Sequence, residues 1–220
     1  MGGCFVKRIK NIVTVSLVLL LSACSFGENT EEKLSNILTE IYNSESDYRN
    51  VQLELSETEK KEQTNFQSMM ELTKDQKEKL TQQVEENAKL LEKRLELVKK
   101  ESASIKKASE KMVDIDTLIS NTKDDSDKDN LKKMEEALKN RYAAYDALTD
   151  QYNNLANLQD ELYNMLIDED VEVKTIQDKV AKVNEQNEVV QKAVDKFNEL
   201  TTQLNQVKEK VFSSLEKEDK

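Results

Sequence analysis

The chain of 220 residues contains no histidine, no proline and no tryptophan, and it has only three glycines and two cysteines. Without histidine, the serine–histidine and cysteine–histidine couples of common hydrolases are excluded, and so are histidine-based zinc or iron sites. Glycine occurs only at positions 2, 3 and 27. Because the rest of the chain lacks both strong helix breakers, sheet-rich folds with tight turns are strongly disfavoured.

The composition that remains is typical of long, solvated helices that bury one narrow stripe. The chain is 37% hydrophobic and 35% charged but only 5% aromatic. Its formal charge is −11. A surface of that sign repels phosphate backbones, so we predict that nucleic acid is not a partner.

A short apolar run near the N-terminus is typical of a bacterial secretory signal. Three basic residues, at positions 7, 8 and 10, precede an apolar run over 12–21 that is too short to span a membrane comfortably. The run ends in a pattern that resembles a lipobox, Leu21-Ser22-Ala23-Cys24.

The lipobox predicts that the Cys24 thiol receives a diacylglyceryl group and that the signal peptide, residues 1–23, is cut off before it. Two acyl chains make a lasting anchor, so we expect a lipid-anchored protein on the extracytoplasmic face of the cell membrane. Residues 24–29 then form a short tether, and 30–220 form a single helical-bundle domain. Since cleavage removes Cys4 and lipidation consumes Cys24, the mature chain has no thiol for a disulfide or a metal.

Apolar residues recur every seven positions along most of the mature chain, which predicts helices with a coiled-coil-like seam. We place four helices of similar length at 30–72, 75–120, 128–167 and 171–216. The first crosses a wholly polar stretch at 56–65, and we interpret it as one continuous helix. The clearest register belongs to the second helix: Val84, Leu91, Val98, Ile105, Met112 and Ile119.

Three polar segments predict the turns between these helices. Thr73-Lys74-Asp75-Gln76 resembles a capping box, the segment 121–128 is rich in Asp and Ser, and the segment 168–170 is wholly acidic. Short turns between helices of similar length predict an elongated, antiparallel four-helix bundle. The alternative is a three-helix, spectrin-like bundle, which requires that the first two segments run on as one helix.

Asp125, Asp127 and Asp129 have the carboxylate spacing of a calcium-binding loop, but the sixth position is Asn130 where such a loop needs glycine. The apolar spacing from residue 131 onward is already helical. We therefore interpret the aspartates as caps of the third helix, and we predict neither a metal nor any other cofactor.

The topology suggests a contact patch at the end of the bundle that lies far from the lipid anchor. Large flexible or aromatic residues cluster in sequence near the turns at Thr73 and Glu169: Phe66, Met69, Met70, Tyr163 and Met165. Such residues suit adaptable contacts with a partner, although packing at the end of the core would also explain them. Tyr145 and Tyr152 fall on the seam, whereas Tyr142 and Tyr163 lie off it and are left open.

Four stretches of the chain resemble the YkyA family of cell-wall-binding lipoproteins from Gram-positive bacteria: residues 59–63, 106–111, 113–116 and 139–142. The resemblance implies an extracytoplasmic, membrane-anchored helical protein and supplies no catalytic motif. We therefore expect a non-catalytic module that binds peptidoglycan or a wall-associated protein. The alternative is a scaffold that binds other envelope proteins through its helices.

Overall fold

A chain without glycine or proline beyond position 27 has few ways to end a helix, and the structure reflects this. The computed structural model describes residues 29–73 and 75–218, of which 91% are helical and none lies in a strand. The all-α class predicted from the sequence is confirmed. The helices are α1 (Thr30–Ser44), α2 (Ser46–Met69), α3 (Lys77–Glu110), α4 (Met112–Asn121), α5 (Asp125–Ile167) and α6 (Val173–Glu218).

The seven-residue repeat marks the buried side of these helices, as predicted. Along α3 and α4 the repeat is buried from Val84 to Met112, and along α6 it is buried from Val183 to Val211. The polar stretch 56–65 is helical throughout, so α2 crosses it without a break. Among the described residues, none of the helices combines the length and the apolar character needed to cross a membrane.

Two long segments are interrupted by a single residue, which the sequence did not indicate. The predicted helix over 30–72 is divided at Glu45, and the one over 75–120 is divided at Lys111. The Glu45 N–H donates to the carbonyl oxygens of both Ile41, at 3.1 Å, and Tyr42, at 3.2 Å. An N–H that is shared between the carbonyl oxygens four and three residues earlier is typical of a helix terminus.

The turns lie close to the predicted positions, but the capping groups differ in part, since Asp125, Asp127 and Asp129 lie within α5 and do not precede it. The Thr73 N–H donates to Gln76 Oε1 at 3.0 Å, just before α3. Asp124 Oδ1 accepts a hydrogen bond from the Asp127 N–H at 3.0 Å and so caps α5, which begins three residues earlier than predicted. Because α2 and α3 are separate, the continuous helix required by the three-helix alternative is not present.

The described residues form two compact units. Unit 1 contains 51–73, 75–100 and 147–194, and unit 2 contains 29–50, 101–146 and 195–218. Each unit draws one stretch from each of the four long helical segments. The seven-residue apolar repeat continues past residues 100, 146 and 194. The sequence pattern therefore does not indicate the division into two units.

An aromatic cluster joins three helices in the core of unit 2. Tyr48 lies 5.8 Å from Tyr145 and 6.1 Å from Phe197, and Tyr145 lies 5.6 Å from Phe197, all measured between ring centroids. The three pairs meet edge to face, the orientation that the ring quadrupole favours. This cluster ties α2, α5 and α6 together next to the interruption at Glu45.

Candidate functional site

The predicted lipidation site, Leu21-Ser22-Ala23-Cys24, lies outside the described residues. The candidate calcium residues Asp125, Asp127 and Asp129 lie within the first turn and a half of α5. A regular helix at these positions cannot wrap a cation. In the described part of the chain, no group of three or more His, Cys, Asp or Glu residues is placed to hold a metal ion.

The predicted contact patch divides into a buried part and an exposed part. Phe66, Met69 and Tyr163 are buried, and the rings of Phe66 and Tyr163 pack with their centroids 6.4 Å apart. Met165 is half-buried, whereas Met70 is 54% exposed. Core packing therefore accounts for the three buried residues, and of the five only Met70 presents most of its side chain to a partner.

The two tyrosines left open by the sequence are both buried, and each donates to a buried glutamate. The Tyr142 hydroxyl donates to Glu45 Oε1 at 3.0 Å, and the Tyr163 hydroxyl donates to Glu62 Oε1 at 2.6 Å. Rings in these positions are not available to stack on a sugar. They belong instead to two polar clusters, one inside each unit.

The unit 2 cluster consists of Glu45, Arg141, Tyr142 and Thr201. Arg141 donates from both terminal nitrogens to the Glu45 carboxylate, at 2.6 and 3.1 Å, and from Nε to the Thr201 hydroxyl at 3.2 Å. The guanidinium carbon also lies 5.0 Å from the centroid of Phe197. A bidentate, ring-stacked pair of this kind fixes both partners in one geometry.

The unit 1 cluster consists of Glu59, Glu62, Arg94, Tyr152, Tyr163 and the amides of Asn87 and Gln159. Arg94 Nη1 lies 3.1 Å from Glu62 Oε2, and Arg94 Nη2 donates to Gln159 Oε1. The Tyr152 hydroxyl donates to Glu59, and Asn87 Nδ2 donates to the Glu62 carbonyl at 3.1 Å. The cluster links α2, α3 and α5.

The two clusters differ in charge balance. In unit 2 one carboxylate faces one guanidinium; burial by itself lowers the pKa of Arg141, but Glu45 and the neighbouring tyrosines raise it above its usual value. In unit 1 two carboxylates share Arg94. Desolvation raises the pKa of Glu62 and of Glu59 above 4.5, and this effect outweighs Arg94 and the tyrosine hydroxyls, which lower both values.

The raised pKa values give unit 1 a definite pH dependence. The folded chain holds these two protons more tightly than the unfolded chain does. The stabilisation that follows is complete below pH 4.5, the ordinary value, and is lost as the pH rises through the raised values of Glu62 and Glu59. Neither cluster opens to solvent at its charged centre. Glu62 and Arg94 are 2% and 1% exposed, and Glu45 and Arg141 are 3% and 4% exposed. The clusters are therefore structural in character.

The surface features are of a different kind. A groove of about 340 Å³ in unit 2 is lined by Leu118 and Leu215 together with residues of both charges, such as Lys33 and Asp127. Because apolar, basic and acidic residues all line the groove, the lining does not favour one class of ligand. Five large apolar side chains of the described residues are exposed: Leu53, Met70, Val113, Ile167 and Val173.

The long helices with internal ion-pair clusters define an all-helical protein. The chain belongs to the YkyA family, whose model is described as "Putative cell-wall binding lipoprotein" and matches residues 29–214. It is also similar to "Uncharacterized lipoprotein YkyA" of Bacillus subtilis (strain 168). The two are 26% identical over 199 residues, which cover 90% of this chain and 89% of the relative. No solved structure gives a significant match.

Replacement of Arg141 by Met should destabilise unit 2 by about 3–5 kcal/mol, because Glu45 would be left buried without its cation. The double variant Glu45→Gln with Arg141→Met should recover a large part of that loss, since no uncompensated charge remains. Urea denaturation followed by circular dichroism measures both.

The matched control is Lys111→Met, which removes a cation from an exposed ion pair with Glu40, 2.8 Å between Nζ and Oε2, in the same unit. Exposed pairs contribute little, so this variant should unfold like the parent protein. A double variant as unstable as Arg141→Met alone would contradict the assignment of the pair as mutually dependent.

Proposed function

We propose that the protein is a membrane-anchored, extracytoplasmic lipoprotein and a non-catalytic module that binds the cell wall. Its anchor is the diacylglyceryl group on Cys24, left at the N-terminus when residues 1–23 are removed. The observation that carries the proposal is the match to the lipoprotein family from residue 29, five positions after the lipobox cysteine.

Connectivity supports a short tether. Asn29 caps α1 through Oδ1, which accepts from the Glu32 N–H at 2.8 Å, and Asn29 belongs to unit 2. Only residues 24–28 separate the lipid from this first capped helix. Cleavage before Cys24 would leave a net charge of −14, because three cations and no anion are removed. Since anionic headgroups repel such a chain, the acyl groups and not electrostatics hold it at the membrane.

A non-catalytic role agrees with the chemistry of the two clusters. Their tyrosine hydroxyls, whose pKa burial raises, are poor acids at neutral pH, as Tyr142 and Tyr163 illustrate. The carboxylates are engaged by arginine and tyrosine inside the core. Such groups stabilise helix pairing and do not reach a substrate.

We assign an antiparallel order to neighbouring helical stretches within each unit. Three short connections, 70–76, 122–124 and 168–172, separate the long helical segments. Connections of this length favour neighbours that run in opposite directions. Each unit is then a set of packed antiparallel helical stretches, of the kind that a binding module or a scaffold needs.

The alternative function is a scaffold that binds envelope proteins through its helices. One observation favours it: three of the exposed apolar side chains, Met70, Ile167 and Val173, flank two turns of unit 1. Apolar groups of this kind suit a protein partner better than a hydrated glycan.

Cys24→Ser in the full-length chain, expressed in a Gram-positive host, should abolish incorporation of labelled palmitate and leave residues 1–23 uncleaved. Cys4→Ser is the matched control, because Cys4 lies in the segment to be cleaved and its loss should change neither result. Incorporation of labelled palmitate by Cys24→Ser at the parent level would overturn lipid anchoring at this residue.

Wall binding is tested with the mature lipoprotein in detergent and purified peptidoglycan freed of protein, with and without teichoic acids and divalent cations. The protein should sediment with the protein-free walls. Sedimentation only with walls that retain their proteins would contradict direct glycan binding and would support the scaffold function.

A further inference from the structure

Three exposed apolar side chains lie at the two turns that close one end of unit 1. Met70 is 54% exposed, Ile167 is 42% exposed and Val173 is 65% exposed. Met70 directly follows α2, Ile167 ends α5, and Val173 begins α6. These three side chains are called the turn surface. The other two exposed apolar residues, Leu53 and Val113, lie within helices and away from these turns.

The two turns lie side by side. Lys77 Nζ, at the start of α3, lies 2.7 Å from Glu169 Oε1 in the α5–α6 turn. One helical turn before the ends of α2 and α5, Phe66 packs on Tyr163. Met70 follows Phe66 by four residues, and its N–H donates to the Phe66 carbonyl at 3.2 Å. Ile167 follows Tyr163 by the same interval.

Side chains four residues apart share one face of a helix. Met70 and Ile167 therefore continue the line of the Phe66–Tyr163 contact beyond the last buried layer. The apolar face of unit 1 thus continues beyond its buried layers into side chains that the described residues leave exposed.

The charges around the turn surface favour a basic partner. Segments 71–77 and 168–174 contain six carboxylates and three lysines. One of these lysines, Lys77, is already engaged by Glu169. Glu71, Asp75, Asp168 and Asp170 are exposed. A second copy of this chain, an anionic lipid surface or an anionic wall polymer would each bring like charge to this rim.

We propose that the turn surface is a docking site for a basic amphipathic segment of another protein. Its apolar side chains contact Met70, Ile167 and Val173, and its lysines or arginines face the acidic rim. The inference goes beyond the proposed wall binding and rests on the proposed function only for the compartment in which the partner is met. It assigns a protein partner to the turn surface and makes no assignment of the contact with the wall.

The test uses the mature lipoprotein in phosphatidylcholine nanodiscs, with empty nanodiscs as the reference, and a labelled helical Leu/Lys peptide as the probe. The triple variant Met70→Ser, Ile167→Ser and Val173→Ser should bind the peptide at least about tenfold more weakly than the parent. All three side chains are exposed, so the parent's thermal stability should be largely retained.

The matched control carries Leu53→Ser and Val113→Ser, which remove the other two exposed apolar side chains of the described residues, and it should bind like the parent. The same peptide with Glu in place of Lys should not bind. Equal binding by the triple variant, equal losses in both variants, or equal binding of the acidic peptide would each overturn the docking site. Membrane fractionation and wall sedimentation of the same triple variant report on the proposed function separately.

Discussion

The burial of charged side chains inside a narrow apolar seam is the constraint on which this structure depends. A chain that is 37% hydrophobic has few apolar groups to bury, and here two core layers hold arginine and glutamate instead. The transfer of an ion from water into the core destabilises the folded protein by several kcal/mol, unless an oppositely charged partner and hydrogen bonds replace the solvent. Glu45 and Arg141 meet that requirement in unit 2. In unit 1 Glu62 and Arg94 meet it in part, because they form an ion pair but Glu62 Oε2 and Arg94 Nε have no hydrogen-bond partner among the described residues.

These ion pairs specify how helices pair better than methyl groups do, because their hydrogen bonds are directional. Leucine packs against leucine in several registers, whereas a guanidinium that also meets a hydroxyl or an amide fits one. Arg141 specifies how α5 lies against Glu45 and against Thr201 on α6. Arg94 similarly relates α3 to α2 and α5. In a chain of similar heptads, such contacts select one pairing of helices, and the ends of those helices then present the turn surface in a fixed arrangement.

The sequence predicted the helices and most turns because those depend on local chemistry. Gln76 Oε1 accepts from the Thr73 N–H, which is one of the two hydrogen bonds of the predicted capping box, and the repeat through Val84 and Val190 marks the buried face. The helix interruption at Glu45 and the burial of Tyr142 involve contacts between residues about a hundred positions apart, which periodicity does not encode. A signal was nevertheless present. Asn87 and Arg94 follow Leu80 at intervals of seven, so they mark polar layers on the companion seam of α3.

The most direct test of the central claim is a carbon-13 NMR titration of the glutamate carboxyls in the intact protein. The account predicts that Glu62 and Glu59, desolvated in the unit 1 cluster, have pKa values above 4.5. It also predicts that Glu54, whose exposed carboxylate lies 2.6 Å from Lys93 Nζ, has a pKa below 4.5. If Glu62 and Glu59 instead titrate at or below 4.5, desolvation does not outweigh Arg94 and the tyrosine hydroxyls, and the account of the buried cluster is contradicted.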